Sequence, residues 1–449
     1  MLTKGPIVNR GAAYLAGTSR SVGRGWPQRP LPTPDLAQKR QLRNSEILFL
    51  AYILLKNLGI FICTTKRRRL SMQKLNPIYL LVLGILITTY CPVAFAAELN
   101  VGSGQTYATI ASAISASSIG DTIIIYPGTY YENNLTPKSG IDDGHRSILM
   151  GAPGESRPVI DGNNAQIFNL TGINYVSLIE LNITDGGSGG DGGYPIVIAN
   201  ETNSTYITID HCKVYDTNVG GVTNANPAQI RIGRQAGGSH VVVSNCDIGG
   251  GVADGILLET TSFSYITLTN NYIHDAAYNI HFKWKADADQ HVEVCYNLLA
   301  GTTADITVGF DQDYINFHDN VINATNKPMK FSDNWGGQHI QVVHNTVYGT
   351  GTIILFSSGS GYNTFEYNIF YPSSTVEDYG DIQSVFTDNY TSNPLWVDPN
   401  NGDFNLGVGS GAIGTARDGK DYGANISLVG IDHLTQGNKL LPPENFRVK

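Results

Sequence analysis

From Val214 to Ala416 the sequence carries only six basic residues, Arg231, Arg234, Lys283, Lys285, Lys327 and Lys330. They fall among His281 and the acids Asp254, Glu259 and Asp311. Such a set suits an acidic sugar. Elimination across a uronate requires a positive charge or metal to neutralise the carboxylate, a base that removes the C5 proton, and an acid that protonates the leaving oxygen. Lys283 is the candidate base, provided that neighbouring Lys285, Arg231 and Lys330 lower its pKa. His281 is an alternative base or the proton donor, and Arg231 and Lys330 complete the catalytic set. Lys285, Arg234 and Trp335 are the candidate substrate-binding residues. The competing reading is a solvated sheet face with ordinary ion pairs, such as Glu259 with Lys283.

These positions act together only if the fold gathers them on one surface, and an internal repeat does so. A β-rich run leads to a polar residue, then a variable one, then an aliphatic or aromatic one. The copies are Leu181-Asn182-Ile183, Cys212-Lys213-Val214, Cys246-Asp247-Ile248, Asn271-Tyr272-Ile273, Asn297-Leu298-Leu299, Asn320-Val321-Ile322, Asn345-Thr346-Val347 and Asn368-Ile369-Phe370. Their spacings are 31, 34, 25, 26, 23, 25 and 23 residues, one coil of a solenoid each. Asn271, Asn297, Asn320, Asn345 and Asn368 are expected to stack as one ladder whose amides bond the coils above and below.

A second strand lies between the copies, with alternating apolar pairs Ile196/Ile198, Ile230/Ile232, Ile256/Leu258, Ile280/Phe282, Ile306/Val308, Met329/Phe331 and Ile353/Leu355. Period-two alternation with one face inward is the strand signal. Two or more short strands per coil, separated by Gly/Asn/Asp turns, describe a parallel β-helix. Alternation then places Val197, Arg231, Leu257, His281, Thr307, Lys330 and Ile354 in one outward column. Ala199, Gly233, Glu259, Lys283, Gly309, Ser332 and Phe356 form the next. With coils ~4.8 Å apart and same-face neighbours ~6.6 Å apart, Glu259, His281 and Lys283 are near neighbours, and Arg231 and Lys330 lie two coils from His281 on either side.

Composition agrees with this architecture. The chain has 449 residues, 15% charged and 41% hydrophobic, too uncharged for disorder and long enough for a large core. Fifty glycines and 24 tyrosines against four methionines favour strands and turns over helices. Residues 1–71 hold thirteen basic and two acidic residues, a net of +11, whereas Ala97 to Lys449 holds 15 and 36, a net of −21. A body that acidic repels phosphate backbones and excludes nucleic acid as a partner.

The boundary between the two regions has the form of a secretion signal. Lys66 to Arg69 and Lys74 precede an apolar run from Ile78 to Tyr90, then Pro92 and Ala94-Phe95-Ala96. Cleavage is expected after Ala96, releasing a monomer to the medium or cell surface with no stable membrane insertion, the alternative being an uncleaved anchor. Met72 stands where a start is expected, so residues 1–71 read as a mis-called extension, the apolar run Ile47 to Leu55 being the alternative of a second anchor.

Two terminal stretches carry a resemblance. Tyr107 to Ile114 followed by Gly120 to Tyr130 resembles the first coil of secreted right-handed parallel β-helix proteins of the pectate-lyase-like superfamily. Tyr107, Ile110, Ala113 and Ile114 would form one face of a capping helix. The segments Asn393 to Asp398, Gly402 to Leu406 and Gly409 to Ile413 are similar to the last coils of the same group. The resemblance spans roughly residues 98 to 425 and implies an all-β, single-stranded right-handed β-helix over 97–428, with a tail or linker over 429–449. It also implies lyase chemistry in which Lys or Arg is the base and Ca²⁺ neutralises the uronate, with Glu259, Asp254 and Asp311 as its oxygen ligands. Gln229-Ile230-Arg231-Ile232-Gly233 is similar to a segment of alginate and chondroitin lyases, with Gln in place of an acidic residue.

The superfamily also includes hydrolases, esterases, epimerases and binding proteins, so fold alone does not give activity. A polygalacturonase-like hydrolase needs clustered aspartates and a Gly-His-Gly segment, which is absent here. A non-catalytic carbohydrate-binding or cell-surface β-helix remains the alternative. Cys212, Cys246 and Cys295 follow the cleavage site, an odd number. Cys212 and Cys246 share a column on adjacent coils, where parallel side chains favour stacked thiols over a disulfide. The spacings contain no zinc pattern.

Overall fold

The computed structural model describes residues 96–431, apart from 188–193, 200, 218–226, 235, 252, 260–263, 284–290, 303–305, 325–326, 332–336, 357–359, 374 and 382. Residues 1–71, the expected signal before its last residue, and the end of the expected tail lie outside the described residues.

The chain is all-β, a parallel solenoid of about nine turns. Its strands form three long sheets, here called first, second and third, of 12, 10 and 9 strands. Each coil supplies one short strand to each sheet, and every pairing within these sheets is parallel, as between Lys213 and Asp247 or Ile230 and Ile256. Strands of three to seven residues bury too little alone to be stable. Stacked coil on coil, their inward residues make one continuous core that includes Ile160, Ile183, Ile207, Val241, Ile266 and Val294.

The eight repeat copies lead into successive strands of the second sheet, from Asn182–Gly186 to Ile369–Pro372. The Asn ladder is present: the backbone N–H of Asn297 donates to Asn320 Oδ1 at 3.0 Å and its Nδ2 to the same oxygen at 2.9 Å. Asn320 repeats this toward Asn345 at 2.9 and 3.1 Å, and the ladder runs on through Asn368 to Asn389. Immediately before each ladder position one non-glycine residue is left-handed, among them Asn270, Tyr296, Asp319, His344 and Tyr367 with φ from 52° to 60°. The bend turns the chain from the first sheet into the second, and the ladder bonds offset its strain.

In the third sheet the alternation holds through Ile280/Phe282. Val308 and Phe310 then pair with Ile280 and Phe282, so the inward pair is Val308/Phe310 rather than Ile306/Val308. Ile354 and Phe356 likewise pair with Met329 and Phe331, replacing Ile353/Leu355. The reason is a column of rings: Phe282, Phe310, Phe331 and Phe356 succeed one another at centroid separations of 5.6, 4.7 and 5.2 Å. Seating Phe310 inward buries more apolar surface than Ile306 would.

A helix spans Ile110–Ala116 with Ile110, Ala113 and Ile114 buried, and Glu132 accepts from the N–H groups of Ile110 and Ala111 at 2.7 and 2.8 Å. The segments expected to form last coils fold differently. Trp396–Asp398 and Asp403–Leu406 pair antiparallel, and the following chain lies along the outer face of the second sheet, where Tyr422, Ile426 and Val429 share a cluster with Tyr272, Leu298 and Val321. Asn270 Nδ2 donates to the Leu428 carbonyl in that run. Among the described residues no helix is long and apolar enough to cross a membrane.

Candidate functional site

Lateral pairing fixes the outward column of the third sheet. Arg231 lies between Val197 and Leu257, Leu257 beside His281, His281 beside Gly309, and Gly309 beside Lys330. Arg231 and Lys330 therefore flank His281 two strands away on either side, as expected, but Gly309 occupies the place given to Thr307. That exchange serves the site. A Cβ on Gly309 would lie 3.2 Å from His281 Cδ2 and 3.2 Å from the Tyr278 ring, so the bare glycine leaves room for these two rings, stacked at 4.4 Å.

His281 is held on both nitrogens. Nδ1 lies 2.9 Å from Asp254 Oδ2, and Nε2 forms an ion pair with Asp311 Oδ2 at 3.8 Å. Burial alone would lower the pKa of this imidazole, but the hydrogen bonds and charges of Asp254 and Asp311 outweigh it and hold the pKa up at about 9. His281 is thus an imidazolium at neutral pH, which suits it to give a proton rather than take one. Asp254 is itself fixed by the Tyr278 N–H, which donates to Oδ1 at 3.2 Å.

Beside this group lies a second one. The Arg231 guanidinium meets Glu259 Oε2, Lys283 Nζ donates to Glu259 Oε1 at 3.3 Å, and Glu259 pairs laterally with Lys283 as the columns required. The face is not the open cationic groove expected from sequence. Arg231 is only 2% exposed, packed 4.6 Å from the Tyr194 ring centroid, and Val197, Leu257, Ala228 and Tyr194 form an apolar cluster around the column. Burial pulls the Arg231 guanidinium below its ordinary value, Tyr194 and Glu259 oppose that, and Arg234 adds like-charge repulsion. Arg234 is thus brought near Arg231. Lys285 and Trp335 lie outside the described residues.

No protein-family model matches the sequence, and no curated protein matches it. Solved structures do. The pectate lyase Pel9A aligns over 74% of this chain and 96% of its own at 14% identity with a TM-score of 0.51. A rhamnogalacturonan lyase aligns over 67% and 91% at 13% identity with a TM-score of 0.46, and the surface adhesin PfbA of Streptococcus pneumoniae over 62% and 86% at 13% with 0.38. This chain shares the parallel β-helix fold of that pectate lyase.

The sequence resemblance implies calcium, and the donor set can be tested for it. Both Glu259 oxygens are taken by Lys283 and Arg231, both Asp254 oxygens by His281 and the Tyr278 N–H, and Asp311 faces His281. Calcium requires about six to eight oxygens at roughly 2.3–2.6 Å. Among the described residues these three carboxylates, committed to cations and an N–H, do not fit that shell.

The β-helix also positions the site through residues that alternation does not flag. Gln312, fully buried, donates from Nε2 to the carbonyl of Lys283 at 2.9 Å and of Leu258 at 3.3 Å, tying the ends of two site strands. Tyr194, Tyr278 and Gly309 act by stacking or by making room. A pocket lined by Ile353, Ile354, Phe370, Val376 and Phe386 lies elsewhere, and none of the third-sheet cluster borders it.

Proposed function

We propose that the protein is secreted and acts on an acidic polysaccharide, cleaving a uronate-containing chain by β-elimination on the outward face of the third sheet. The observation that carries this reading is His281, paired through its two nitrogens with Asp254 and Asp311, two residues from Lys283 on one strand face, with Arg231 and Glu259 adjacent. Same-face neighbours along a strand are ~6.6 Å apart. A base reaching C5 and an acid reaching the oxygen on C4, each by one hydrogen bond, span a comparable distance. His281 is the acid. Lys283, once it has released its own proton to solvent, is the base. The C5–H and C4–O bonds break, the C4–C5 double bond forms, Lys283 takes the C5 proton and His281 supplies one to the leaving oxygen. Lys330 and Arg234, on opposite sides of His281, are the cations that receive carboxylates of sugars along the bound chain, while Arg231 holds Glu259 and keeps that carboxylate from the substrate. The fold shared with a pectate lyase is compatible with such a substrate.

The Glu259–Lys283 pair at 3.3 Å also favours a second reading, a face that only binds acidic glycan. Lys283→Ala separates the two. As a lost general base it lowers elimination by roughly 10²–10⁴ while glycan binding weakens modestly. On a binding face, Arg234→Ala, Lys283→Ala and Lys330→Ala would each remove a similar, salt-dependent share of affinity, with no unsaturated product from any of them or from wild type.

A further inference from the structure

A different sheet carries a second cluster. On the first sheet, Glu293 and Cys295 belong to the strand Val292–Cys295 at alternate positions and so share a face, and Cys295 pairs laterally with His318 at the end of Ile315–His318. Glu293 Oε, Cys295 Sγ and a His318 ring nitrogen all lie within 4.8 Å of one another. His318 Nε2 is 3.1 Å from Glu293 Oε1. Its other nitrogen, Nδ1, is 2.9 Å from Asp319 Oδ2.

We propose that Glu293, Cys295 and His318 bind a borderline-soft divalent cation of the zinc class, with water as fourth ligand. The chemistry of the donors makes the choice. A thiolate and an imidazole disfavour calcium and magnesium and select zinc or its softer neighbours. With zinc distances of about 2.0–2.3 Å, tetrahedral ligand atoms stand roughly 3.3–3.8 Å apart, a small adjustment from the separations present. The Asp319 carboxylate on Nδ1 is the outer partner a metal-bound histidine needs, since it fixes the ring and turns the Nε2 lone pair toward the ion. Cys295 donates its thiol hydrogen to Thr269 Oγ1 at 3.4 Å, and binding releases that proton to solvent. With Glu293 half exposed and His318 one-fifth exposed, the ion and its water have a path in. Because Cys295 and His318 come from neighbouring coils, no local spacing in the sequence announces the site.

The test is a titration of the full chain with Co²⁺, followed by absorption. We expect a saturable thiolate-to-cobalt charge-transfer band that Zn²⁺ abolishes. Cys295→Ser should lose the band, whereas Cys246→Ser, which alters a fully buried thiol on another coil, should keep it. Asp319→Asn should weaken binding by about 10–100-fold. Should Cys295→Ser not fold, His318→Gln supplies the second variant, and loss of the band there supports the site. No saturable band in wild type, or a band that survives in folded Cys295→Ser or His318→Gln, overturns it.

Discussion

Arg231 and Glu259 meet across two strands on the outer face of the third sheet with side chains only 3% and 8% exposed, and Lys283 takes the remaining carboxylate oxygen. An ion pair so shielded contributes little net stability, yet is costly to break on one side. Arg231→Met should therefore destabilise by about 3–5 kcal/mol, because Glu259 stays buried against a single cation. The double variant Arg231→Met/Glu259→Leu should recover most of that loss. Urea unfolding of the two singles and the double decides it: additive losses would mean that the two side chains do not depend on one another.

His281 makes stability depend on pH in a defined direction. Its folded pKa of about 9 lies above the ordinary value of 6.5. The contribution is full below about 6.5 and disappears as pH rises through about 9, amounting to at most about 3 kcal/mol. His274, raised by Asp247 and Asp275 against burial, shifts the same way, so the difference between wild type and His281→Gln is the quantity to measure. That difference should shrink between pH 6.5 and 9.5. If His281 is the acid of the proposed elimination, kcat/KM should show a descending limb near pH 9, where the acid loses its proton. A wild-type-minus-variant difference that stays flat across this range would remove His281 as an imidazolium.

Asn320→Ala takes away an acceptor for the Asn297 backbone and side chain and a donor to the carbonyls of Val294 and His318 and to Asn345 Oδ1. Partners left unsatisfied in the interior should cost on the order of 1–3 kcal/mol or more. The control is Asn316→Ala on the exposed face of the first sheet, expected to change the melting temperature little. Equal melting curves for the two variants would count against a ladder that binds the coils together.

The coils and the ladder were legible because each repeats once per turn with a chemical signature, Asn in a buried column. The third-sheet register was legible only in part. Exchanging Thr307 for Gly309 is a slip of two residues, which keeps every side chain on its face, so alternation cannot detect it. Ile353-Ile354-Leu355-Phe356 is apolar throughout and gives alternation nothing to act on. What selects the register is the ring column through Phe310 and Phe356. A second column was missed altogether: Tyr175, Tyr206, His240, Tyr265 and His291 stack at 4.3–4.8 Å from left-handed positions at the start of successive first-sheet strands. A left-handed residue there interrupts strict alternation, so strand periodicity does not flag it. The pairing of Glu259 with Lys283 followed from the columns, but the covering of Arg231 did not, because Tyr194 reaches it from the preceding coil.

The proposed elimination of a uronate uses Lys283 and His281 without a metal held by Glu259, Asp254 and Asp311. The most direct measurement incubates the purified 97–449 chain with alginate, pectate and glycosaminoglycans, with and without a calcium chelator, and follows the ultraviolet absorbance of an unsaturated product. A rise is expected with at least one of these polymers, little changed by the chelator and lost in Lys283→Ala and His281→Gln. No rise with any uronate polymer, with or without added Ca²⁺, would contradict it.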